Sequence, residues 1–272
     1  MNNSLIREDE KRRVIVIGAG ASGMMAAGRA AETGANVLLL ERTQRPGQKI
    51  LISGKTRCNL TNIKDVNDFI AMYGPNGRFL YRAFHRFFRE DLMEFFKRYG
   101  VETKVERGGR VFPVSDNAGD VVRAFRMYLD ELGVNIYHHK KAERILVKDG
   151  HVTGVLTESG EYPSRAVILA TGGATYPSTG STGDGYRMAE SIGHSITRLR
   201  PALVPLVVKE ISLARAMQGV SLRHVRLTAF RCPADAVDPS LTPDRDFGRG
   251  IKNKRPHGLV VESRMGEMMM TH

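Results

Sequence analysis

RVIVIGAGASGMMAAGRAAETGANVLLLER, residues 13–42, holds one complete folding unit. Val14, Ile15, Val16 and Ile17 form a run too apolar for a strand with one wet face. Arg13–Gly18 therefore reads as a strand covered on both sides, as in a parallel sheet. A helix is expected over Ser22–Thr33, rich in Ala and Met and stopped by Gly34. Val37–Leu40 is a second buried strand that ends at Glu41. Strand, glycine-rich turn, helix and strand within thirty residues make a βαβ unit. The turn, Gly18-Ala19-Gly20-Ala21-Ser22-Gly23, is a GxGxxG in the context that gives it meaning: directly after a buried strand and opening a helix.

Each glycine has its own reason. Gly18 permits the tight turn, Gly20 lets a pyrophosphate reach the backbone, and Gly23 lets helix and strand pack closely. The helix N-terminus supplies unpaired N–H groups and positive partial charge to the phosphates. Glu41 lies 41 − 23 = 18 residues past the last glycine. Its carboxylate can accept ribose hydroxyls and would repel a 2′-phosphate, which argues against NADP at this position. A structural βαβ turn without nucleotide is the plainer alternative.

The rest of the chain fits around this unit. Residues 45–62 form a polar loop longer than a connection needs. Helical stretches are expected over Phe79–Phe88 and Asp91–Tyr99, their aromatic stripe reading as core packing. Gly108–Val114 is short and extended. Asp116–Leu132 is an amphipathic helix with Asp116 as N-cap. Val134–Tyr137 is a strand, and Ala142–Val147, His151–Thr157 and a piece near Tyr162 form an antiparallel meander. Arg165–Ala170 is again a continuous buried strand, ending in Thr171-Gly172-Gly173. A second glycine-bearing strand end would lie beside the first glycine turn, which favours FAD over NAD. Asp184–Ile192 is a short helix. After about Ser195 the composition changes: Leu206–Lys209 and Leu222–Phe230 are strand-like, and Cys232–Pro256 reads as a long loop.

The 272 residues carry 41 Lys+Arg and 29 Asp+Glu, a net charge of +12. An apolar fraction of 42% excludes global disorder. The longest apolar runs stop far short of the ~20 residues of a membrane-spanning helix. The charge could suit nucleic acid, but the basic residues are scattered, and Arg78, Arg82, Arg86 and Arg89 are mixed with Glu90, Asp91 and Glu94. No nucleic-acid module is visible, so a nucleic-acid partner is not favoured. Cys58 and Cys232 stand too far apart for a metal motif or disulfide framework. The N-terminus lacks the apolar core of a signal peptide, so a reducing cytoplasm is expected. The histidines show no ligand spacing; His138 and His139 would point to opposite faces of a strand, and no metal site is expected.

VIVIGAGASGMMAA, LLLER, GQKILISGKTRCNLTN, GRVFPVSDNA and ILATGGATYPSTGSTGDGYRMAESIGHSI together resemble the BaiN/RdsA-like family of NAD(P)/FAD-dependent oxidoreductases, also described as aminoacetone-oxidase-family FAD-binding enzymes. The resemblance runs from Arg13 to Thr228 and resumes at Gly266–His272, with residues 232–264 departing from the pattern. It implies an α/β fold: a Rossmann-type FAD-binding domain with parallel sheet and β-meander (residues 1–194), then part of an inserted β-barrel-like domain (195–272). It implies FAD, with Gly18–Gly23 on the diphosphate, Glu41 on the adenosine ribose and the Lys49–Asn59 loop along the diphosphate and flavin side. Family members continue past residue 272 with a segment that closes over the flavin. The adenine half of the site is therefore expected within these residues.

The cofactor-binding candidates are Gly18, Ala19, Gly20, Ala21, Ser22, Gly23, Glu41, Arg42, Lys49, Gly54, Arg57, Cys58, Asn59, Thr171, Gly172 and Gly173. Arg57 can pair with pyrophosphate oxygens or with loop acids. Cys58 is a redox thiol beside the flavin or an inert buried one. Asn59 binds the cofactor or makes an Asx turn. Lys49 is a phosphate ligand or solvated. Asp184 is first a helix N-cap, with a cofactor contact as the alternative. No acid or base is assigned. The expected function is a FAD-dependent oxidoreductase passing hydride through flavin N5, with NAD(P)H a candidate donor and a small molecule as substrate. FAD or ADP binding without turnover, and an RNA-associated flavoprotein, are the alternatives.

Overall fold

The computed structural model describes residues 12–200, 210–230 and 260–269. The chain divides into two compact units, Met1–Arg198 and Leu199–His272.

In the first unit, β1 (Val14–Ile17), α1 (Ala21–Glu32) and β2 (Val37–Leu40) form the βαβ unit. β1 lies between β2 and β10 (Ala166–Leu169), and β6 (Asn135–Tyr137) lies outside β2. All three pairings are parallel, with Ile17 opposite both Leu40 and Leu169. Strands β1, β2 and β10 therefore finish at one edge. The chain order reverses across β1, and such a switch point opens a crevice beyond the strand ends.

Alternation in the strands divides the core. Val16 and Leu39 face α1 and α6 (Ala118–Glu131), packing with Met24, Ala27, Val121, Phe125 and Leu129. Ile15, Ile17, Leu38 and Leu40 face the opposite way. There they meet the meander β7 (Ala142–Lys148), β8 (His151–Thr157) and β9 (Gly160–Pro163), and Met188 of α7 (Asp184–Ser191). Each such aliphatic side chain, fully buried, contributes about 1.5–3 kcal/mol. Gly28 lets α1 approach α6 closely: a Cβ there would stand 2.0 Å from the Tyr128 ring.

A second layer flanks this body. α2 (Gln48–Ile52) precedes a small antiparallel sheet with β5 (Arg110–Pro113) between β3 (Thr61–Asn62) and β4 (Thr103–Glu106). α3 (Val66–Ala71), a 3-10 turn over residues 74–80, α4 (Tyr81–Arg86) and α5 (Arg89–Arg98) make a helical lobe. In the second unit, α8 (Ile211–Ala216) precedes β11 (Ser221–Phe230), which pairs antiparallel with β12 (Val260–Met269).

Several local expectations are corrected. Helix α6 is capped by Asn117, whose side chain accepts the Gly119 N–H at 2.8 Å. Asp116 instead adopts positive φ and its carboxylate takes the Lys104 ammonium. Asp184 is not an N-cap: Gly183, at φ 77°, precedes α7, and Asp184 is its first helical residue. β6 ends at Tyr137, so His138 and His139 lie in a turn. β10 is only half-buried, and Leu169 is 37% exposed, because it is an edge of the four-stranded sheet. Phe96 is core as expected, whereas Phe79 is 88% exposed. Leu206–Lys209, Cys232–Pro256 and Thr271–His272 lie outside the described residues.

Candidate cofactor site

The edge where β1, β2 and β10 end opens into a cleft of about 500 Å³. That lies within the roughly 300–1,000 Å³ usual for small-molecule sites. Its floor is the glycine turn. Gly18 sits at φ 100°, and a Cβ there would be 2.7 Å from the Ala170 carbonyl oxygen. The second glycine-bearing strand end is thus in contact with the first. At Gly23 a Cβ would fall 1.7 Å from the Gly18 oxygen, so this glycine serves helix–strand packing and does not line the cleft. At Gly20 a Cβ would meet nothing within 4 Å: the backbone is bare and faces open space.

No side chain caps α1, and its first turn carries no acid. The N-terminal amide groups and the positive end of the helix are left for a ligand anion. Residues Gly18–Ser22 line the cleft with Thr171 and Gly172.

Glu41 is 8% exposed at the end of β2. Its Oε2 accepts the Ala19 N–H at 2.8 Å, and its Oε1 accepts the Thr43 N–H and hydroxyl, each at 2.7 Å. A carboxylate offers about four acceptor positions, so Oε2 retains one toward the cleft. Glu41 fixes the turn as well as facing the ligand space.

Two cations tie the glycine segments together. Arg42 donates to Asp184 Oδ2 and Thr182 Oγ1, both at 2.8 Å. Lys49 Nζ donates to the Thr175 carbonyl at 2.9 Å and to Ser181 Oγ at 2.8 Å. Burial works to raise the Asp184 carboxyl, but the Thr182 hydroxyl, Arg187, Arg42 and Lys141 outweigh it and hold it below the usual carboxylate range. Lys140 and Lys141 complete this end of the cleft. Four cations, Arg42, Lys49, Lys140 and Lys141, thus stand against the two acids Glu41 and Asp184, a balance that suits a diphosphate.

The other end is apolar. Ile50, Leu60, Leu92, Phe96, Val121 and Phe125 line it, with Cys58 and Asn59. Cys58 is a free, buried thiol that burial pushes up, with a hydrogen bond to Ser53 opposing. Asn59, with its amide NH₂ toward β3 and β5, donates to the Thr61 and Val111 carbonyls at 3.1 and 3.3 Å.

Besides Gly23, three expected residues stand off the cleft. Arg57 is bidentate to Glu106, at 2.8 and 3.3 Å, and its guanidinium lies 4.1 Å from the Phe112 ring centroid. The acid Glu106 thus takes this arginine, the second of its two expected partners. Gly54 allows a turn at φ 56°, where a Cβ would crowd the Asn59 nitrogen at 2.8 Å. Gly173 faces Tyr186. Lys140, Lys141 and the apolar wall were not legible as site residues, because a helix face of Leu, Phe and Val reads as core. Among the described residues, no cluster of His, Cys, Asp and Glu could hold a metal ion. Nor is any of their helices long and apolar enough to cross a membrane.

Fold and turn together define a Rossmann-type protein with a glycine-lined cleft at its switch point. The chain belongs to the HI0933-like family: residues 12–234 match the HI0933-like protein Rossmann domain. It is 38% identical over 207 residues to a 3-dehydro-bile acid delta(4,6)-reductase of Clostridium scindens, covering 75% of this chain and 49% of that protein. It is 31% identical over 220 residues to a ribosomal RNA dihydrouridine synthase of Escherichia coli, covering 79% and 54%. The chain thus spans about half the length of these relatives. Among solved structures, it resembles an open-conformation flavocytochrome c3 fumarate reductase, with a TM-score of 0.53 at 21% identity, covering 82% of this chain and 50% of that one. At that identity the likeness concerns the fold.

Proposed function

We propose that the cleft binds FAD and that the chain carries the cofactor-binding part of a FAD-dependent oxidoreductase. The observation that carries this reading is the bare backbone at Gly20, open to the cleft and one turn residue from the N–H that Glu41 holds. The residues present fit the cofactor. Amides at the start of α1 receive the diphosphate, Glu41 takes the adenosine ribose, and Lys49 and Arg42 hold the Thr175–Asp184 segment over it. The apolar end excludes water from whatever ring lies there.

When bound, FAD supplies two-electron hydride chemistry; the protein contributes binding, orientation and electrostatics. The name of the Clostridium scindens relative, a reductase, supports the redox class. NAD(P)H is the proposed donor and a small organic molecule the proposed substrate.

The test is reconstitution with FAD followed by anaerobic addition of NADH or NADPH. A saturable yellow complex that bleaches supports the whole reading. A complex that forms but never bleaches with any reductant leaves nucleotide binding and contradicts the oxidoreductase part. No complex contradicts both.

A further inference from the structure

We propose that the outward face of the helical run from Gly74 to Arg86 is a docking surface for single-stranded nucleic acid, with Arg78, Arg82 and Arg86 on phosphates and Phe79 as a stacking platform. None of these residues lines the cleft, so this surface stands independently of the FAD reading.

The inner face fixes how the run is turned. Gly77 is buried where a Cβ would lie 2.1 Å from the Ile70 carbonyl oxygen. Phe84 packs edge-on against Phe69, with ring centroids 5.3 Å apart, and against Phe88 at 5.4 Å. With 77, 80, 81, 84 and 87 turned inward, positions 78, 79, 82, 83, 85 and 86 face water. Arg82 and Arg86 stand four apart on one face of α4, and Arg78 is exposed on the preceding 3-10 turn.

No acid lies between Phe69 and Arg89; of the acids that flank this stretch, Asp65, Asp68, Glu90 and Asp91 are engaged and Glu94 is exposed. Asp65 caps α3, accepting the Asn67 and Asp68 N–H groups at 2.9 and 3.0 Å. Asp91 accepts the Phe88 N–H at 2.8 Å. Asp68 lies 3.9 Å from Lys64, and Glu90 pairs with Arg89. Arg78, Arg82 and Arg86 have no hydrogen-bond or ion-pair partner among the described residues. The acid-free stretch thus stands in the fold as a row of free guanidinium groups.

Phe79 is the most exposed large apolar side chain among the described residues, at 88%. A bare ring beside unpaired arginines is the combination that binds single strands: cations track the backbone and rings stack on bases without regard to sequence. Guanidinium groups suit this role better than ammonium groups, since they take phosphate bidentately and also stack. The chain's +12 charge adds attraction at long range. An anionic membrane fits less well. Interfacial helices present a broad apolar face, and here Leu80, Tyr81, Phe84 and Phe87 are half-buried against the lobe.

The test is fluorescence anisotropy of a labelled single-stranded RNA of about twelve nucleotides, read across a salt series with the full chain. Wild-type affinity should fall steeply with salt. Arg78→Gln/Arg82→Gln/Arg86→Gln should reduce the log–log slope by about 2, at ~0.7 per phosphate contact on single strands. Phe79→Ala should weaken binding roughly fivefold or more with the slope unchanged. Lys148→Gln, an exposed control on β7, should change neither. Circular dichroism and ADP binding report whether each variant keeps its fold. A wild type that binds no RNA, a triple variant with unchanged affinity and slope, or binding to phosphatidylserine vesicles in preference to RNA would each overturn the proposal.

Discussion

Glu41 Oε2 accepts the Ala19 N–H at 2.8 Å, joining the end of β2 to the glycine turn across 22 residues of chain. The acid at the second strand is therefore part of the cradle before any ligand arrives. Its removal should be felt twice, in the turn and in the ligand. Glu41→Ala leaves the Ala19 and Thr43 donors without their acceptor, a cost of about 1–3 kcal/mol. Thermal melting should shift down by several degrees, and calorimetric titration should show ADP bound at least tenfold more weakly. Unchanged ADP affinity would deny Glu41 the ribose.

Gly20 and Gly23 should separate binding from folding. Gly20 has φ −79° and ψ −174°, a conformation any residue adopts, and its Cβ direction is open. Gly20→Ala should alter stability by less than ~1 kcal/mol. Its methyl would enter the diphosphate space and weaken FAD at least tenfold, which is ~1.4 kcal/mol. Gly23→Ala puts a Cβ 1.7 Å from the Gly18 oxygen and should cost more than ~3 kcal/mol, or prevent folding. Chemical denaturation of both variants beside FAD titration checks this. Equal stability losses would contradict it.

Arg57→Gln should do the reverse of Gly20→Ala. It breaks the partly exposed pair with Glu106 and the stacking on the buried Phe112 ring, and should lower Tm by a few degrees. FAD and ADP affinities should stay within twofold of wild type, about 0.4 kcal/mol. A tenfold loss in nucleotide affinity with unchanged Tm would return Arg57 to the diphosphate.

Alkaline pH should destabilise the α1–α5–α6 layer in a defined window. Burial pushes the Tyr99 phenol up to about 12, aided by its hydrogen bond to Glu131. Burial raises Tyr128 further, aided by Glu32. The folded state holds these protons more tightly than the unfolded chain, whose phenols ionise near 10.0. Their stabilising contribution is thus complete below pH 10 and lost as pH rises through about 12. Phenolate absorbance should show two of the eight tyrosines ionising late, together with loss of structure. All eight ionising near pH 10 with the fold intact would contradict the packing described.

The βαβ unit and its turn were legible because their signals are local. Four apolar residues, a glycine triplet and an acid at the next strand end each act on near neighbours, and β1, α1, β2 and Glu41 stand where they were expected. Pairings at long range were not legible. Arg57 lies 49 residues from Glu106, and nothing local marks the acid as its partner. Asp116 and Asn117 are both good caps, and only the positive φ at Asp116 decides between them. Phe96 and Phe125 reach the cleft from helices whose pattern reports only burial. The acids after Arg89 drew attention from a basic face that holds none of its own, and sequence order does not say that Asp91 is already used at a helix terminus.

The most direct measurement is a titration of the purified chain into FAD, following flavin fluorescence, with ADP as competitor and Gly20→Ala as reference. Saturable quenching at one FAD per chain, reversed by ADP and weakened at least tenfold in the variant, is the expected result. Quenching that ADP cannot reverse, equal affinity in Gly20→Ala, or no binding of either nucleotide would contradict a diphosphate resting on this turn.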